Sequence, residues 1–359
     1  MTHAFRPGLD RVAAYKPGKP APVDGAGRSF KLSSNENPFD PLPAVLRSIT
    51  GALPGVVNRY PNLAAPELTQ ALADRFDVAP ENIALGAGSV EVAGQLIHAL
   101  TAPGDEVMFA WRSFEAYPIL TRVAGAVPVE VPLDADARHD LAAMAGAVTE
   151  RTRLIFICNP NNPTGTVVGA AQLAAFMQLV PEQVLVVIDE AYVHFDRDPG
   201  SPDGLEYFRR YPNVAVLHTF SKAYGLAGLR IGYAIARPEV TAHLRKVALP
   251  FAVSQLAQVA ALASLDVEAE LTERIDLIVR ERERVYAALA ELGLPAVRSE
   301  ANFVWIATGA RSEAIAAGFE LHGISVRCFP GEGVRVTIGA PEENDAVIAA
   351  VHSLLVGAA

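Results

Sequence analysis

A lysine at the end of an apolar strand has the greatest chemical potential in the sequence. Lys222 lies in segment 219–230 (TFSKAYGLAGLR), directly after the apolar run 214–217. Ligands of parallel α/β sheets bind beyond the carboxyl ends of the strands, and a lysine amine can form a Schiff base with an aldehyde. The alternative is a surface lysine in a glycine-rich turn, and the Ser-Lys pair by itself favours that alternative.

An acidic residue ends a second apolar run. Asp189 follows residues 184–188 (VLVVI), so we expect it at the same edge of the sheet. It could cap the following helix, or a buried carboxylate there could keep a pyridine nitrogen protonated, as a pyridoxal electron sink requires. Tyr192, three residues later, could donate a hydrogen bond to the phenolate oxygen of such a cofactor.

Two turn-rich segments could complete the same pocket. Asn162 lies in segment 159–165 (NPNNPTG), which could be only a rigid turn or could supply a second donor to the phenolate oxygen. Segment 86–91 (GAGSVE) opens a helical pattern, where free backbone N–H groups and the Ser89 hydroxyl suit a phosphate.

The segment 86–91 also half-matches the dinucleotide fingerprint GxGxxG. Glu91 replaces the last glycine, and Asp105 lies near the position of a ribose-binding acid. A nicotinamide-dependent dehydrogenase is therefore an alternative from another class. It leaves Asp189 and Lys222 without a role, and its motif lies far from the start of the chain.

The elements around these segments alternate between helix and strand. The apolar runs that predict buried strands are 107–109, 154–157, 184–188, 214–217 and 231–235. The helices predicted among them include 67–76, 90–100 and 170–179. This alternation indicates an α/β domain with a mostly parallel sheet. We expect an N-terminal arm (1–50) packing with a small domain, a large α/β domain (51–250), and a small α+β domain (251–359) entered through one long helix over 254–292.

The composition excludes several function classes. Among 359 residues, 30 Lys and Arg stand against 40 Asp and Glu, a net charge of −10, without the basic block that would bind nucleic acid. Two cysteines cannot form a disulfide framework, and eight scattered histidines predict no metal site. No apolar run approaches the length of about 18 residues that spans a membrane, and no signal-peptide pattern is present. We expect a soluble cytoplasmic protein.

In this order, the motifs SNENP, RYP, GxGS, NPNNPTG, DEAY, TFSKAYGLAGLRIGY and GVRVTIG resemble those of the fold-type I pyridoxal-5′-phosphate aminotransferases. The resemblance runs from about residue 15 to the C-terminus and is strongest to the histidinol-phosphate aminotransferase group. Within that group, segment 111–118 (WRSFEAYP) is similar to aromatic amino acid aminotransferases. The resemblance implies a large domain with a mostly parallel sheet, a smaller α+β domain, and pyridoxal phosphate as cofactor.

The resemblance also implies roles for the site residues. Lys222 would carry the cofactor as an imine and move the substrate proton, and Asp189 would pair with the pyridinium nitrogen. Asn162 and Tyr192 would hydrogen-bond the O3′ oxygen, and Phe114 would stack on the ring, although core packing explains Phe114 equally well. The residues that would surround the cofactor phosphate are Gly88, Ser89, Thr219, Ser221 and Arg230.

A homodimer is implied as well, in which Tyr60 reaches the phosphate in the neighbouring subunit. Arg335 would bind the substrate carboxylate through its planar guanidinium. Arg327 matches a second substrate-side arginine, for which a surface or interdomain ion pair is the alternative. Tyr15 and the loop 35–38, with Asn37 as its substrate-binding residue, would close over the substrate.

The reaction that these roles imply is transamination of phenylalanine, tyrosine or tryptophan with 2-oxoglutarate, giving aromatic 2-oxo acids and glutamate. Val90 stands where histidinol-phosphate enzymes carry Asn or Asp, so a side-chain contact is lost there. WRSFEAYP replaces the PxYxMY-like segment of those enzymes, which favours aromatic substrates over histidinol phosphate. The alternatives are histidinol-phosphate transamination, a decarboxylase of the same fold and a non-catalytic binding protein.

Overall fold

The computed structural model describes residues 8–23, 25 and 27–356. The strands are β1 (Phe30–Lys31), β2 (Ile83–Gly86), β3 (Glu106–Trp111), β4 (Val127–Pro132), β5 (Thr152–Cys158), β6 (Leu185–Asp189), β7 (Val214–Thr219), β8 (Gly232–Ile235), β9 (Ala296–Val297), β10 (Phe303–Ile306), β11 (Ile324–Ser325), β12 (Arg327–Phe329) and β13 (Gly333–Thr337). The α-helices are α1 (Pro43–Val56), α2 (Pro66–Phe76), α3 (Ser89–Leu100), α4 (Ala116–Ala124), α5 (Leu141–Gly146), α6 (Ala170–Met177), α7 (Gly204–Arg210), α8 (Pro238–Val247), α9 (Gln255–Leu265), α10 (Glu268–Glu291), α11 (Ser312–Leu321) and α12 (Pro341–Val356).

The central sheet has seven strands in the order β2-β8-β7-β6-β5-β3-β4. The strands from β7 through β4 pair in parallel, whereas β8 is antiparallel to both β7 and β2. This confirms the predicted α/β fold with a mostly parallel sheet. The parallel strands end at one edge, so Cys158, Asp189 and Thr219 lie on neighbouring strands at that edge.

Both faces of the central sheet are buried, which is why its strands are continuous apolar runs. In β6, Val186 and Ile188 face one apolar core, which also contains Phe208 of α7. Leu185 and Val187 alternate with them and face a second core, shared with residues of α3, α4 and α8. Helices on both sides of the sheet therefore hold the carboxyl edge rigidly in place.

A second sheet, in the order β12-β13-β10-β9, is antiparallel throughout. It packs with α10 and α11. The N-terminal strand β1 pairs in parallel with β11, where Phe30 lies opposite Ile324. Residues near the start of the chain thus lie beside its last quarter. The division of the chain at residues 50 and 250 stays a prediction. Within the described residues, no helix combines the length and apolar character needed to span a bilayer.

The elements depart from the sequence-based expectation at three places. The single helix expected over 254–292 is wrong: α9 and α10 are separate, because the backbone at Val267 leaves the helical region (φ −120°, ψ 29°). Helix α1 was not predicted because it is interrupted at Pro54 and Gly55. Strand β4 was missed because it contains prolines, which sheets tolerate at an edge, and β4 is an edge strand.

Candidate active site

A cavity of about 430 Å³ opens at the carboxyl edge of the central sheet. It is bordered on the other side by residues of β12 and β13 and by segment 33–36. The predicted site residues that line it are Tyr15, Ser89, Phe114, Asn162, Asp189, Tyr192, Thr219, Ser221, Lys222, Arg230, Arg327 and Arg335. Side chains from distant parts of the chain therefore converge on one space.

The Lys222 amine is held by carbonyl groups. Its Nζ donates to the backbone oxygens of Ser34 and Asn35, each at 3.2 Å. None of the described carboxylates forms an ion pair with it. Enclosure by protein, and to a smaller extent the nearby Arg335 and Arg230, lowers the pKa of Lys222 to about 7. A substantial fraction of this amine is neutral near pH 7, the form that adds to an aldehyde.

Asp189 is a buried carboxylate at the end of β6. Its Oδ2 accepts a hydrogen bond from the Tyr117 hydroxyl at 2.5 Å, and its Oδ1 accepts one from the Ala191 backbone N–H at 3.2 Å. Burial raises the pKa of Asp189 to about 6, while the Tyr117 hydrogen bond opposes that shift. No cationic side chain among the described residues pairs with it, so a cationic ligand atom would stabilise its ionised form.

A group of donors surrounds the first turn of α3. Arg230 lies in the left-handed region (φ 57°) and donates to Ser221 Oγ at 3.3 Å and to the Ala87 carbonyl at 3.3 Å. Gly88 has φ 84°, and a Cβ there would lie 2.2 Å from Arg230 Nη2, so only glycine fits. The backbone N–H groups at the start of α3, the Ser89 hydroxyl and the Arg230 guanidinium together form a site for an anion such as a phosphate.

Asn162 and Tyr192 bring polar atoms to the same cavity as Asp189. Asn35 Nδ2 donates to the Tyr192 hydroxyl at 2.9 Å. Asn162 Oδ1 accepts from Arg335 Nη1. Burial raises the pKa of the Tyr192 phenol, so Tyr192 keeps its O–H as a donor at neutral pH. Thr219 donates to Ser221 Oγ at 3.0 Å, which orders the hydroxyls beside Lys222.

The two predicted substrate arginines differ in their partners. Arg335 is 7% exposed, donates to the Ser33 carbonyl at 2.8 Å, and has a buried Nε without a hydrogen-bond partner. No described carboxylate is within ion-pair distance of it, and burial lowers its pKa. Arg327 instead forms an ion pair with Glu115 at 2.6 Å. The ion-pair alternative for Arg327 is therefore what the structure contains.

Three predicted residues do not line the cavity: Gly88, which lies behind Ser89 and Arg230, and Tyr60 and Asn37. Tyr60 is 82% exposed and stacks on Phe251 with 4.6 Å between ring centroids. Asn37 donates to the backbone carbonyls of Lys222 and Ala223, so its side chain braces the lysine loop and does not face the substrate space. Tyr15 lines the cavity and is half exposed at its mouth.

Sequence reasoning missed Tyr117 and Glu115, and it named the loop 35–38 without the contact that Asn35 makes with Tyr192. Tyr117 follows Phe114 by one helical turn, and that spacing was the signal that both approach the same space; their rings are 5.5 Å apart, edge to face. Asn35 enters through a loop whose position depends on β1. Glu115 lies 212 residues from its partner Arg327 in sequence, so no local pattern links them.

The chain is similar to known proteins along most of its length. Residues 28–351 match the family model for aminotransferase class I and II. An aromatic amino acid aminotransferase of Streptomyces avermitilis is 56% identical over 341 residues, which cover 95% of this chain and 94% of that protein. One of Thermobifida fusca is 56% identical over 344 residues, covering 96% and 95%. A crystal structure of histidinol-phosphate aminotransferase from Sinorhizobium meliloti in complex with pyridoxal-5′-phosphate is 31% identical, with a TM-score of 0.86 and 93% of each chain covered. The chain belongs to the aminotransferase class I and II family.

Proposed function

We propose that the protein is a pyridoxal-phosphate-dependent transaminase that moves the amino group of aromatic L-amino acids to 2-oxoglutarate. The observation that carries this proposal is the arrangement of Lys222, Asp189 and Arg230 around one cavity. The aromatic substrate is supported by relatives that are 56% identical over nearly the whole chain and are named aromatic amino acid aminotransferases.

The residues of the cavity fit pyridoxal phosphate. Asp189 offers a buried carboxylate to the ring nitrogen, Asn162 and Tyr192 lie near enough to the same space to bind the phenolate oxygen, and Phe114 lines it as a stacking ring. The donors for the phosphate are those of Ser89, Thr219, Ser221 and Arg230, and the absence of a side chain at Gly88 leaves room for the Arg230 guanidinium. When bound, the cofactor supplies an aldehyde that condenses with amines and a ring that withdraws electrons from the substrate Cα.

The side chains of this protein supply binding and proton transfer. The Arg335 guanidinium binds the α-carboxylate of the substrate, using an Nε that has no protein partner. Lys222 has a pKa of about 7, so about half of its amine is neutral at pH 7. In that form its Nζ removes the proton from the substrate Cα, and it returns a proton during product formation. Asp189 stabilises positive charge on the ring nitrogen, which makes the Cα proton more acidic.

The amino-donor profile tests this function. We expect kcat/KM for phenylalanine, tyrosine or tryptophan with 2-oxoglutarate to exceed kcat/KM for histidinol phosphate. Histidinol phosphate is the second candidate because a structural neighbour at 31% identity carries that name. Release of CO₂ without a 2-oxo acid would indicate a decarboxylase, and a colourless protein that binds NAD would indicate a dehydrogenase.

The lowered pKa of Lys222 predicts how cofactor attachment depends on pH. The rate at which apoprotein bonds covalently to pyridoxal phosphate should rise with pH, with a midpoint at the lysine pKa of about 7, because only the neutral amine is nucleophilic. Stopped-flow absorbance across the pH range measures that midpoint. A midpoint near the ordinary lysine pKa of about 10.4 would contradict the role given to the enclosure of Lys222.

A homodimer with shared active sites is a further part of the proposal. Tyr60, Leu63 and Leu249 are exposed on one face, at 82%, 64% and 64%, beside a groove of about 790 Å³. A second copy of the chain would cover these apolar side chains, and Tyr60 would then reach the partner's phosphate site.

The two free cysteines suit a reducing compartment, which supports a cytoplasmic location.

Hybrid dimers test the contribution of Tyr60. The Tyr60→Ala and Lys222→Ala chains should each be nearly inactive, but a mixture refolded together should recover about one quarter of the wild-type activity, because half of the randomly paired dimers contain one intact site. Sedimentation should show a dimer in every sample. A mixture that stays inactive would show that Tyr60 does not act across subunits.

A further inference from the structure

The cavity contains two arginines on neighbouring strands. Arg327 of β12 lies directly opposite Arg335 of β13 in the antiparallel register. Side chains in such positions have Cβ atoms about 4.5–5.5 Å apart, and like charges there destabilise the pair. Arg335 keeps its charge without an ion pair among the described residues. Arg327 has its charge compensated by Glu115, which relieves this repulsion.

Glu115 and the Pro17 carbonyl together engage all three nitrogens of the Arg327 guanidinium. Nη2 and Nε both donate to Glu115 Oε2, at 2.6 and 3.2 Å, and Nη1 donates to the Pro17 carbonyl at 3.3 Å. The side chains of Arg327 and Glu115 are only 13% and 30% exposed, and both line the cavity. A ligand entering the cavity therefore meets a neutral pair at this position.

An aromatic ring, Phe329, lies beside the pair, and other apolar side chains line the same cavity. Phe329, Ile119 and Leu120 line the same cavity, and the Arg327 guanidinium carbon lies 5.7 Å from the centre of the Phe329 ring. An uncharged aromatic side chain can occupy this region without breaking a contact. An anionic side chain must displace Glu115 from Arg327 and leave a carboxylate unpaired beside it, which is costly in a partly buried site.

We propose that Glu115 is a specificity-determining residue that neutralises Arg327 and so selects uncharged aromatic side chains over anionic ones. This inference rests on the proposed transamination and adds the residue that sets its substrate preference. The cost applies to any anionic side chain, whether the γ-carboxylate of glutamate or a phosphate ester, so 2-oxoglutarate remains a substrate but a poorer one than the aromatic 2-oxo acids. Glu115 acts through Arg327, so it is a positioning residue and not a catalytic one.

The first test is the Glu115→Gln variant. In a ping-pong reaction, kcat/KM for each amino donor reports its own half-reaction. We expect the glutamate-to-phenylalanine ratio of kcat/KM to rise roughly tenfold, through a lower KM for glutamate, because Arg327 becomes free to bind a carboxylate. The Kd of the unreactive analogue glutarate, measured by calorimetry, should fall by a similar factor, while that of 3-phenylpropanoate should change little. In Glu115→Asp, the glutamate-to-phenylalanine ratio of kcat/KM and the Kd of glutarate should both return toward their wild-type values.

Glu332→Gln is the matched control. Arg112 and Glu332 form another ion pair between the same two regions of the chain, but neither residue lines the cavity. This variant removes the same charge and should leave the glutamate-to-phenylalanine ratio of kcat/KM and the Kd of glutarate at their wild-type values. A change as large as that of Glu115→Gln would mean that the overall charge, and not the cavity contact, is responsible.

The second test asks whether Glu115 acts through Arg327. In an Arg327→Gln background, adding Glu115→Gln should not produce the tenfold gain in glutarate affinity, because position 327 no longer carries an arginine that the substitution could release. Arg327→Gln alone should weaken glutarate binding, because Glu115 is then unpaired; this keeps the proposal testable even if Glu115→Gln does not fold. An unchanged glutarate Kd in Glu115→Gln, or an equal gain without Arg327, would overturn it. If the wild type does not act on aromatic amino acids, the proposed function fails while the glutarate comparison still tests Glu115.

Discussion

Replacing Lys222 by alanine is expected to lower kcat for transamination by at least about a thousandfold, because the variant loses both the nucleophilic amine and the group that moves the Cα proton. Borohydride treatment of the wild-type holoenzyme should fix the cofactor on the peptide that contains Lys222, and mass spectrometry of a digest should find no labelled peptide in the variant. The Lys222 amine donates to two carbonyl groups and lies 5.9 Å from the centre of the Tyr192 ring, without an ion pair among the described residues, so we expect the apoprotein of the variant to fold.

Lys222→Arg is the control for charge. Arginine keeps a cation in the cavity but does not lose its proton at working pH, so it cannot add to the aldehyde or accept the Cα proton. We expect this variant to be as inactive as Lys222→Ala while the thermal unfolding of both apoproteins stays close to wild type. Substantial turnover in either folded variant would remove Lys222 from its proposed role.

Replacing Asp189 by asparagine should have the second largest effect. The variant loses the buried negative charge that would stabilise a protonated ring nitrogen, and we expect kcat to fall by roughly a hundredfold to a thousandfold, as when a preorganised electrostatic partner is removed. The Kd of pyridoxal phosphate should rise as well. Steady-state kinetics and equilibrium titration of the apoprotein with cofactor measure the two effects separately.

The raised pKa of Asp189 gives this variant a stability signature of opposite sign. The native carboxyl has a pKa of about 6 instead of 3.8, so its favourable contribution is present below the unfolded pKa and is lost as pH rises through about 6. Asp189→Asn apoprotein should therefore be more stable than wild type in urea at about pH 8, with the difference shrinking at about pH 5. Lower stability at both pH values would mean that the lost activity reflects damaged packing.

Tyr117→Phe provides a graded comparison at the same site. It removes the hydroxyl that donates to Asp189 Oδ2 and leaves the carboxylate in place. Because that bond lowers the Asp189 pKa, we expect the pKa to rise and the activity to fall by roughly tenfold, less than in Asp189→Asn. If both variants had equal activity, the charge of Asp189 would not be the important property.

Local patterns predicted the half of the site that lies on the central sheet. Asp189 and Lys222 each follow an apolar run that predicts a strand. Parallel strands end at one edge of a sheet, so the two residues were expected to converge there, and β6 and β7 do pair in parallel. Contacts that join distant segments could not be predicted in this way. The pairing of Glu115 with Arg327 depends on how β12 faces α4, and the position of Asn35 depends on β1 meeting β11. Tyr60 is exposed in the single chain, so its role depends on a surface that one sequence does not describe.

The pairing of β1 with β11 also determines the order in which the protein can mature on the ribosome. All strands of the central sheet have been synthesised by residue 235, whereas Phe30 must wait for Ile324 before it can pair. Ser34 and Asn35, whose carbonyls hold the Lys222 amine, follow β1 directly. Because Ile324 is synthesised after the last strand of the central sheet, a nascent chain contains all the strands of that sheet before β1 can pair and the segment that encloses the reactive lysine is anchored.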